Sequence, residues 1–270
     1  MFEHLYQTAD LVQREFDRAA GAYRVLLAQA NEARECSWDR LPVQLAPFNA
    51  TFYQLEQAWT KIGRGCVSAM IDLVATALGG GTALELPEAK DLLSGFFDEE
   101  GLPADNFSCR AMLDALLALY APDAGQLRLQ QIADRFVSAF RLRADEVPAT
   151  RGGAVVLDLS MYLDSISLKH SHRQEYSNHE DLSRAARALA EVLGELDADL
   201  AHQAATHATH VATVGRMNQW KPVRDLYGPI GPVGIKAYKG KVEFLVPQAL
   251  AQRLNVFLSQ HATKLLRQSV

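Results

Sequence analysis

The stretch VGIKAYKGKVEFLV, residues 233–246, decides the fold of the C-terminal part of this chain. Apolar and polar residues alternate on both sides of Lys239 and Gly240, which is the pattern of strands with one buried face. Glycine tolerates the positive φ of a tight turn, so the two runs predict a β-hairpin that turns at Gly240. Pro247 then opens an amphipathic helix, predicted over residues 247–267, whose apolar side carries Leu250, Leu254, Phe257, Leu258, His261 and Leu265.

The sequence before the hairpin is mostly helical in its spacing. A β-branched run, AVVLDL at 154–159, predicts one more strand, which we expect to share a small antiparallel sheet with the hairpin. Helical periodicity predicts helices over 109–120 and 127–140, and one long helix from Ser177 or Asn178 to about Val214. Prolines and glycines indicate a loop over 215–232. The expected fold class is therefore α+β and predominantly α-helical, with a helical middle and a covering C-terminal helix.

Two apolar seams occupy the N-terminal part of the chain. Their residues recur at steps of three and four, at Phe2, Leu5, Ala9, Val12, Phe16, Ala19, Tyr23, Leu26 and Ala30, and again at Phe52, Leu55, Trp59, Ile62, Cys66, Ala69, Leu73 and Thr76. This heptad spacing, interrupted by Pro42 and Pro47, predicts a long antiparallel helical hairpin over residues 1–82, followed by an α+β domain over 83–270. The same seams suit a homodimer interface, so a dimeric helical scaffold is one interpretation.

Composition narrows the functional classes. The 27 basic and 32 acidic residues give a net charge of −5, which does not favour a dedicated nucleic-acid binder. The longest apolar run, 66–78, contains Asp72 and is too short to span a bilayer, and no secretory signal opens the chain. We therefore expect a cytoplasmic protein that does not act at a membrane. No glycine-rich nucleotide loop or Cys-x-x-Cys motif is present, so the sequence indicates no cofactor and favours a binding protein over an enzyme.

A basic and aromatic segment, residues 216–241, is the main candidate binding surface. Cations neutralise phosphates and exposed aromatic rings stack on bases, so this mixture favours nucleic acid or a protein partner encoded by a neighbouring gene. Lysines that guard a sheet edge are the structural alternative. The candidate residues are Arg216, Trp220, Lys221, Arg224, Tyr227, Lys236, Tyr238, Lys239 and Lys241.

Two enzymatic alternatives remain open. Arg173 and His179 have the Arg-x5-His spacing that resembles the signature of HEPN ribonucleases, in which arginine stabilises phosphate charge and histidine moves a proton. Glu195, Asp199 and His202 fall at steps of four and three, which on one helix would place three metal-ligating side chains on one face. Chance spacing and a solvated helix face are the structural alternatives.

The C-terminal sequence also resembles a known family. The run IKAYKGKVEF at 235–244, followed by Leu250, Arg253-Leu254-Asn255 and His261, is similar to the C-terminal end of the DUF4942 family. RFVSAF at 135–140, the 152–159 strand and the 182–194 helix follow in the order that such proteins show, so the similarity covers roughly residues 85–265. The resemblance implies an accessory protein of plasmids, prophages or integrative elements, and it implies no catalytic residues.

Overall fold

A computed structural model describes residues 2–38, 46–163 and 175–263. The fold is α+β and predominantly α-helical, with a small four-stranded antiparallel sheet in its C-terminal part, as the sequence predicts. The chain forms two compact units, Met1–Gly125 and Gln126–Val270. The sequence placed this division after residue 82. It falls at Gly125 because a further helix packs on the N-terminal hairpin and belongs to the first unit.

The first unit is a helical hairpin completed by that further helix. Its elements are α1 (Glu3–Trp38), α2 (Ala46–Gly79), the short α3 (Ala89–Leu92) with a 3-10 turn over Leu93–Phe96, and α4 (Cys109–Tyr120). Helix α4 contacts both α1 and α2. The side chain of Gln13 accepts a hydrogen bond from the backbone N–H of Cys109 at 2.8 Å, and Arg110 pairs with Asp10 at 2.8 Å. These contacts fasten α4 to α1.

The predicted seams are present but displaced by one residue over part of their length. In α1, Phe16 and Ala20 are buried, whereas Leu26 is 47% exposed. In α2, Met70 and Val74 are buried, whereas Ile62 is 39% exposed. An α-helix with 3.6 residues per turn drifts away from a strict 3.5-residue repeat, so a heptad pattern loses the buried face along a long helix. The Phe52 end of the second seam and the connector at 39–45 lie outside the described side chains.

One segment of the described chain, Tyr53–Gly79, is long and apolar enough to cross a membrane by length and composition. The sequence predicts no span here. A core helix meets the same criterion, which makes this weak evidence for a membrane span. In α2 the side chains of Trp59, Cys66 and Met70 are buried, as in a helix that contributes to a core.

The second unit combines four helices with the small sheet. Its elements are α5 (Ala124–Phe140), β1 (Thr150–Arg151), β2 (Ala154–Ser160), α6 (His179–Leu196), α7 (Ala198–Met217), β3 (Gly234–Tyr238), β4 (Lys241–Pro247) and α8 (Gln248–His261). The strand order is β1-β2-β4-β3, so the predicted hairpin and the predicted 154–159 strand are neighbours in one antiparallel sheet. Phe244 of β4 meets Phe140 of α5 edge to face, with ring centroids 5.0 Å apart. The predicted helix end at 264–267 lies outside the described residues.

The predicted long helix from 177 to 214 is two helices. Asp197 separates α6 from α7 with extended backbone, φ −154° and ψ 108°, and its side chain accepts a hydrogen bond from the N–H of Asp199 at 3.1 Å. That bond caps the first turn of α7. Gly194 allows the two helices to approach closely, because a Cβ there would lie 3.2 Å from the Cβ of Ala201. The single-residue connection folds α7 back along α6 as an antiparallel pair.

The sheet face opposite the core contains a buried carboxylate. Glu243 is 1% exposed and accepts hydrogen bonds from Arg151 at 2.7 Å and Lys241 at 2.8 Å. Burial raises the pKa of Glu243, but the hydrogen bond and charge of Lys241 and the charge of Arg151 outweigh it and hold that pKa below its ordinary value. Lys241 also contacts Asp158, the cross-strand neighbour of Glu243, at 3.1 Å.

Candidate functional site

A cleft of about 470 Å³ lies between the start of α6 and the end of α7. Three arginines and a tryptophan stand around a surface of small side chains. We call this surface the arginine cleft; its lining residues are His179, Glu180, Ser183, Arg184, Arg187, Ala208, Thr209, Ala212, Arg216 and Trp220. The antiparallel pairing of α6 and α7 brings these residues together, although they are up to 41 positions apart in sequence.

Trp220 forms the wall at one end of the arginine cleft. Gln219 and Trp220 follow α7 in left-handed conformations, with φ of 55° and 51°, and the N–H of Trp220 donates to the carbonyl of Gly215 at 2.7 Å. This turn folds the indole back onto Gly215, where any Cβ would lie within 2.3–2.6 Å of ring atoms. Left-handed backbone is unfavourable for residues with a Cβ, so packing of the indole on the core must offset it.

His179 stands against this wall. Its imidazole stacks on the indole of Trp220 with centroids 4.9 Å apart, while the ring of Tyr227 lies 6.3 Å away from the same indole. The Nδ1 atom of His179 is 3.3 Å from the carbonyl oxygen of Tyr176, and a hydrogen bond there requires the proton on Nδ1. Nε2 then remains an acceptor with no protein partner among the described residues.

The three arginines of the cleft differ in their pairing. Arg184 donates to Asp181 at 3.1 Å, which balances its charge. Arg187 and Arg216 are exposed, and within the described chain neither has a carboxylate partner. Among the described residues, Glu180 is the one carboxylate that lines the cleft. Three arginines against one glutamate make this a locally basic surface on a chain whose net charge is −5.

The rest of the predicted basic and aromatic segment does not form one continuous surface. Tyr227 is 1% exposed, and its hydroxyl donates to the carbonyl of Lys221 at 2.9 Å. Its ring therefore belongs to the core and offers no face to a base. Lys236 is paired with Asp225, and the hydrogen bond from Lys236 lowers the pKa of that carboxyl. Lys241 is held by Glu243, as described above.

Only part of the segment stays available for binding. Arg216 and Trp220 line the arginine cleft. Lys221 and Arg224 follow as exposed cations, whereas Lys239 is exposed at the hairpin turn and Tyr238 is half-buried on β3. Lys236 lies on β3, an edge strand, whereas Lys241 lies on β4 between β2 and β3, so Lys236 fits the structural alternative of a lysine that guards a strand edge and Lys241 does not.

The structure does not assemble the predicted metal ligands. Glu195 closes α6, whereas Asp199 and His202 lie on α7, so the break at Asp197 removes the shared helix face. The carboxylate of Glu195 accepts hydrogen bonds from both terminal nitrogens of Arg128. No group of three metal-ligating side chains occurs within residues 2–38, 46–163 and 175–263. Arg173, the partner of His179 in the HEPN-like spacing, lies outside the described residues.

Arg184 and Arg187 were missed by the sequence interpretation. They lie on the exposed side of α6, where charged residues look like an ordinary solvated face. Arg184 and Arg187 line a cleft only because α7 packs back along α6. The sequence predicted α6 and α7 as one continuous helix. A signal was present at Gly194 and Asp197, because glycine followed by an N-cap residue marks a helix end and a new start.

Comparison with known proteins adds no relative: no protein-family model, curated protein or solved structure matches this chain. The resemblance to the DUF4942 family therefore rests on the residues quoted above and stays a prediction.

Proposed function

We propose that this protein binds nucleic acid through the arginine cleft, as a non-enzymatic accessory protein in the mobile-element setting that the DUF4942 resemblance implies. One observation carries the proposal: Arg184, Arg187 and Arg216 line one cleft, and two of them have no carboxylate partner within the described residues. Arginine forks suit phosphate oxygens, and two further exposed cations, Lys221 and Arg224, follow Trp220 in the sequence.

The proposal is tested by fluorescence anisotropy with labelled single- and double-stranded DNA and RNA over a range of salt concentrations. We expect binding at low salt that weakens as salt rises, because each neutralised phosphate releases counterions. R187A and R216A should each weaken binding and reduce the salt slope by about 1. Arg24→Ala, at an exposed arginine of α1, is the matched control and should bind like the wild type.

Two results would contradict the proposal. One is undetectable binding to every nucleic acid at low salt. The other is an equal loss in R24A and R216A, which would assign the effect to net charge. K236A should have less effect than R216A, because Asp225 already neutralises that lysine.

Ribonuclease activity is the second candidate, favoured by the position of His179 in the same cleft as the arginines. Its free Nε2 would accept the proton of an attacking hydroxyl while arginine stabilises the phosphate charge. RNA cleavage by wild type and H179A, both tested with a metal chelator, decides this candidate. Loss of cleavage in H179A with retained RNA binding supports it, and equal cleavage in both proteins rejects it.

A further inference from the structure

We infer that Arg187 and Arg216 form a phosphate-binding site selective for a phosphate monoester, such as a phosphorylated strand end. The inference rests on the proposed function, because both place the ligand in the arginine cleft. It goes further in its chemistry, because it requires oriented guanidinium groups and a doubly charged ligand where general nucleic-acid binding requires only positive charge.

The guanidinium groups of Arg187 and Arg216 are each held by the same kind of hydrogen bond to the backbone. Arg187 donates its Nε–H to the carbonyl of Ser183, and Arg216 donates its Nε–H to the carbonyl of Ala212, both at 3.3 Å. Each bond joins an arginine to the residue four positions earlier on its own helix. With Nε held, the terminal NH₂ groups remain as donors without a protein partner in the described chain. Such donors match the oxygens of a phosphate group.

The charge of the cleft fits a monoester better than a diester. Asp181 pairs with Arg184 at 3.1 Å and also lies 3.7 Å from Arg141. Its ion-pair partners are therefore Arg184 and Arg141, not Arg187 or Arg216. Glu180 also lines the cleft, but neither Arg187 nor Arg216 forms an ion pair with it or with another carboxylate among the described residues. Arg187 and Arg216 therefore present two guanidinium groups without an ion-pair partner in that part of the chain. A phosphate monoester carries about −1.5 to −2 at neutral pH, whereas each diester linkage carries a single charge.

The shape of the cleft suits a ligand that ends there. Ser183, Ala208 and Ala212 are small, so the surface between the arginines has room for a phosphate group. The stacked pair of His179 and Trp220 stands across one end. Gly215 and the left-handed turn hold that wall in place. A strand that passes through a groove needs both ends open, whereas a terminal phosphate needs only one.

The test uses full-length protein and inorganic phosphate as the first ligand, measured by titration calorimetry at constant ionic strength. We expect wild-type protein to bind phosphate and R187K and R216K to bind at least about tenfold more weakly, because lysine keeps the charge but lacks the fork. R24K is the matched control and should match the wild type. Thermal unfolding confirms that each variant is folded.

The second arm separates the sources of the phosphate. Adenosine monophosphate and single-stranded oligonucleotides with or without a terminal phosphate compete with the inorganic ion. A terminal phosphate that improves oligonucleotide affinity about tenfold in wild type, but not in R216K, supports recognition of a strand end. Equal affinity for the mononucleotide and the phosphorylated oligonucleotide, also lost in R216K, supports a free monoester as ligand.

Failure of the inference differs from failure of the proposed function. The inference is overturned if inorganic phosphate does not bind, or if R187K and R216K bind it like the wild type. Salt-dependent binding of nucleic acid would still stand in that case, because lysine preserves it. Phosphate binding without any binding of nucleic acid would overturn the proposed function alone.

Discussion

At the scale of single residues, buried charge on the sheet makes the stability of the fold depend on pH. Glu243 is enclosed on β4 and satisfied by Arg151 and Lys241. Its pKa is lower in the folded protein than the ordinary value of 4.5. A group with a lowered folded pKa contributes stability above its unfolded pKa, and that contribution is lost as pH falls through the folded pKa.

Replacing Glu243 with Gln should therefore lower the free energy of unfolding by about 1.5–3 kcal/mol at pH 7, the range for a hydrogen bond to a charged group. The difference between wild type and variant should shrink as pH falls below 4.5. Urea unfolding at several pH values measures it. Asp158→Asn is the control: its carboxylate shares Lys241 but is 50% exposed, so its loss should cost at most about 1 kcal/mol. A difference for E243Q that stays constant from neutral to acidic pH would contradict the argument.

Gly215 controls the wall of the arginine cleft. A methyl group at this position would lie 2.3 Å from the indole of Trp220. Gly215→Ala should destabilise the protein by about 1–3 kcal/mol, the usual cost of overpacking, and should shift the fluorescence of Trp220. Gly65→Ala is the matched control, because it is also a helical glycine but has no atom within 4 Å of the added Cβ. It should stabilise by about 0.5–1 kcal/mol. Equal stability changes in the two variants would show that Trp220 does not rest on Gly215.

At the scale of elements, the break between α6 and α7 produces the cleft, since only a return of the chain brings Arg216 beside Arg184 and Arg187. Asp197→Ala should lower stability by about 1 kcal/mol through loss of the helix cap. Asp197→Asn keeps an oxygen acceptor and should stay near the wild type. Asp199→Ala removes only a first-turn charge and serves as the control, with a smaller expected loss. Thermal unfolding ranks the stabilities of the three variants. A loss of stability in D199A as large as that in D197A would contradict the capping role of Asp197.

Elements were predictable where the signal is local. The alternation in 233–246 and the glycine turn determine the hairpin, and residues 109–120 determine α4, because both patterns lie within one element. Predictions failed where a second element decides the outcome. Leu26 continues a heptad in sequence but has drifted off the buried face of α1, and Tyr227 sits in a basic segment but is taken into the core. The cleft needed both the break at Asp197 and the pairing of two helices, and neither shows in periodicity.

At the scale of the whole molecule, the unit boundary at Gly125 predicts that the first unit can fold on its own only if it includes α4. Phe16 of α1 stacks on Phe107 with centroids 4.2 Å apart and also contacts Trp59 of α2. Met112, Leu113 and Leu116 of α4 are fully buried in this unit. A fragment that stops at residue 82 lacks Phe107 and α4, and would expose the apolar side chains that they cover.

We therefore expect residues 1–125 to unfold cooperatively as an isolated fragment, and residues 1–82 to lack a cooperative transition or to aggregate. Residues 122–270 should fold independently as well, because they contain a large core that joins α5, α6, α8 and the sheet. Circular dichroism and thermal unfolding of the three fragments test this, and in the last fragment Trp220 is the sole tryptophan, so its fluorescence reports directly on the wall of the cleft. A cooperative transition in residues 1–82 equal to that of residues 1–125 would contradict this expectation. It would place the boundary at the end of the hairpin and would show that the hairpin folds without α4.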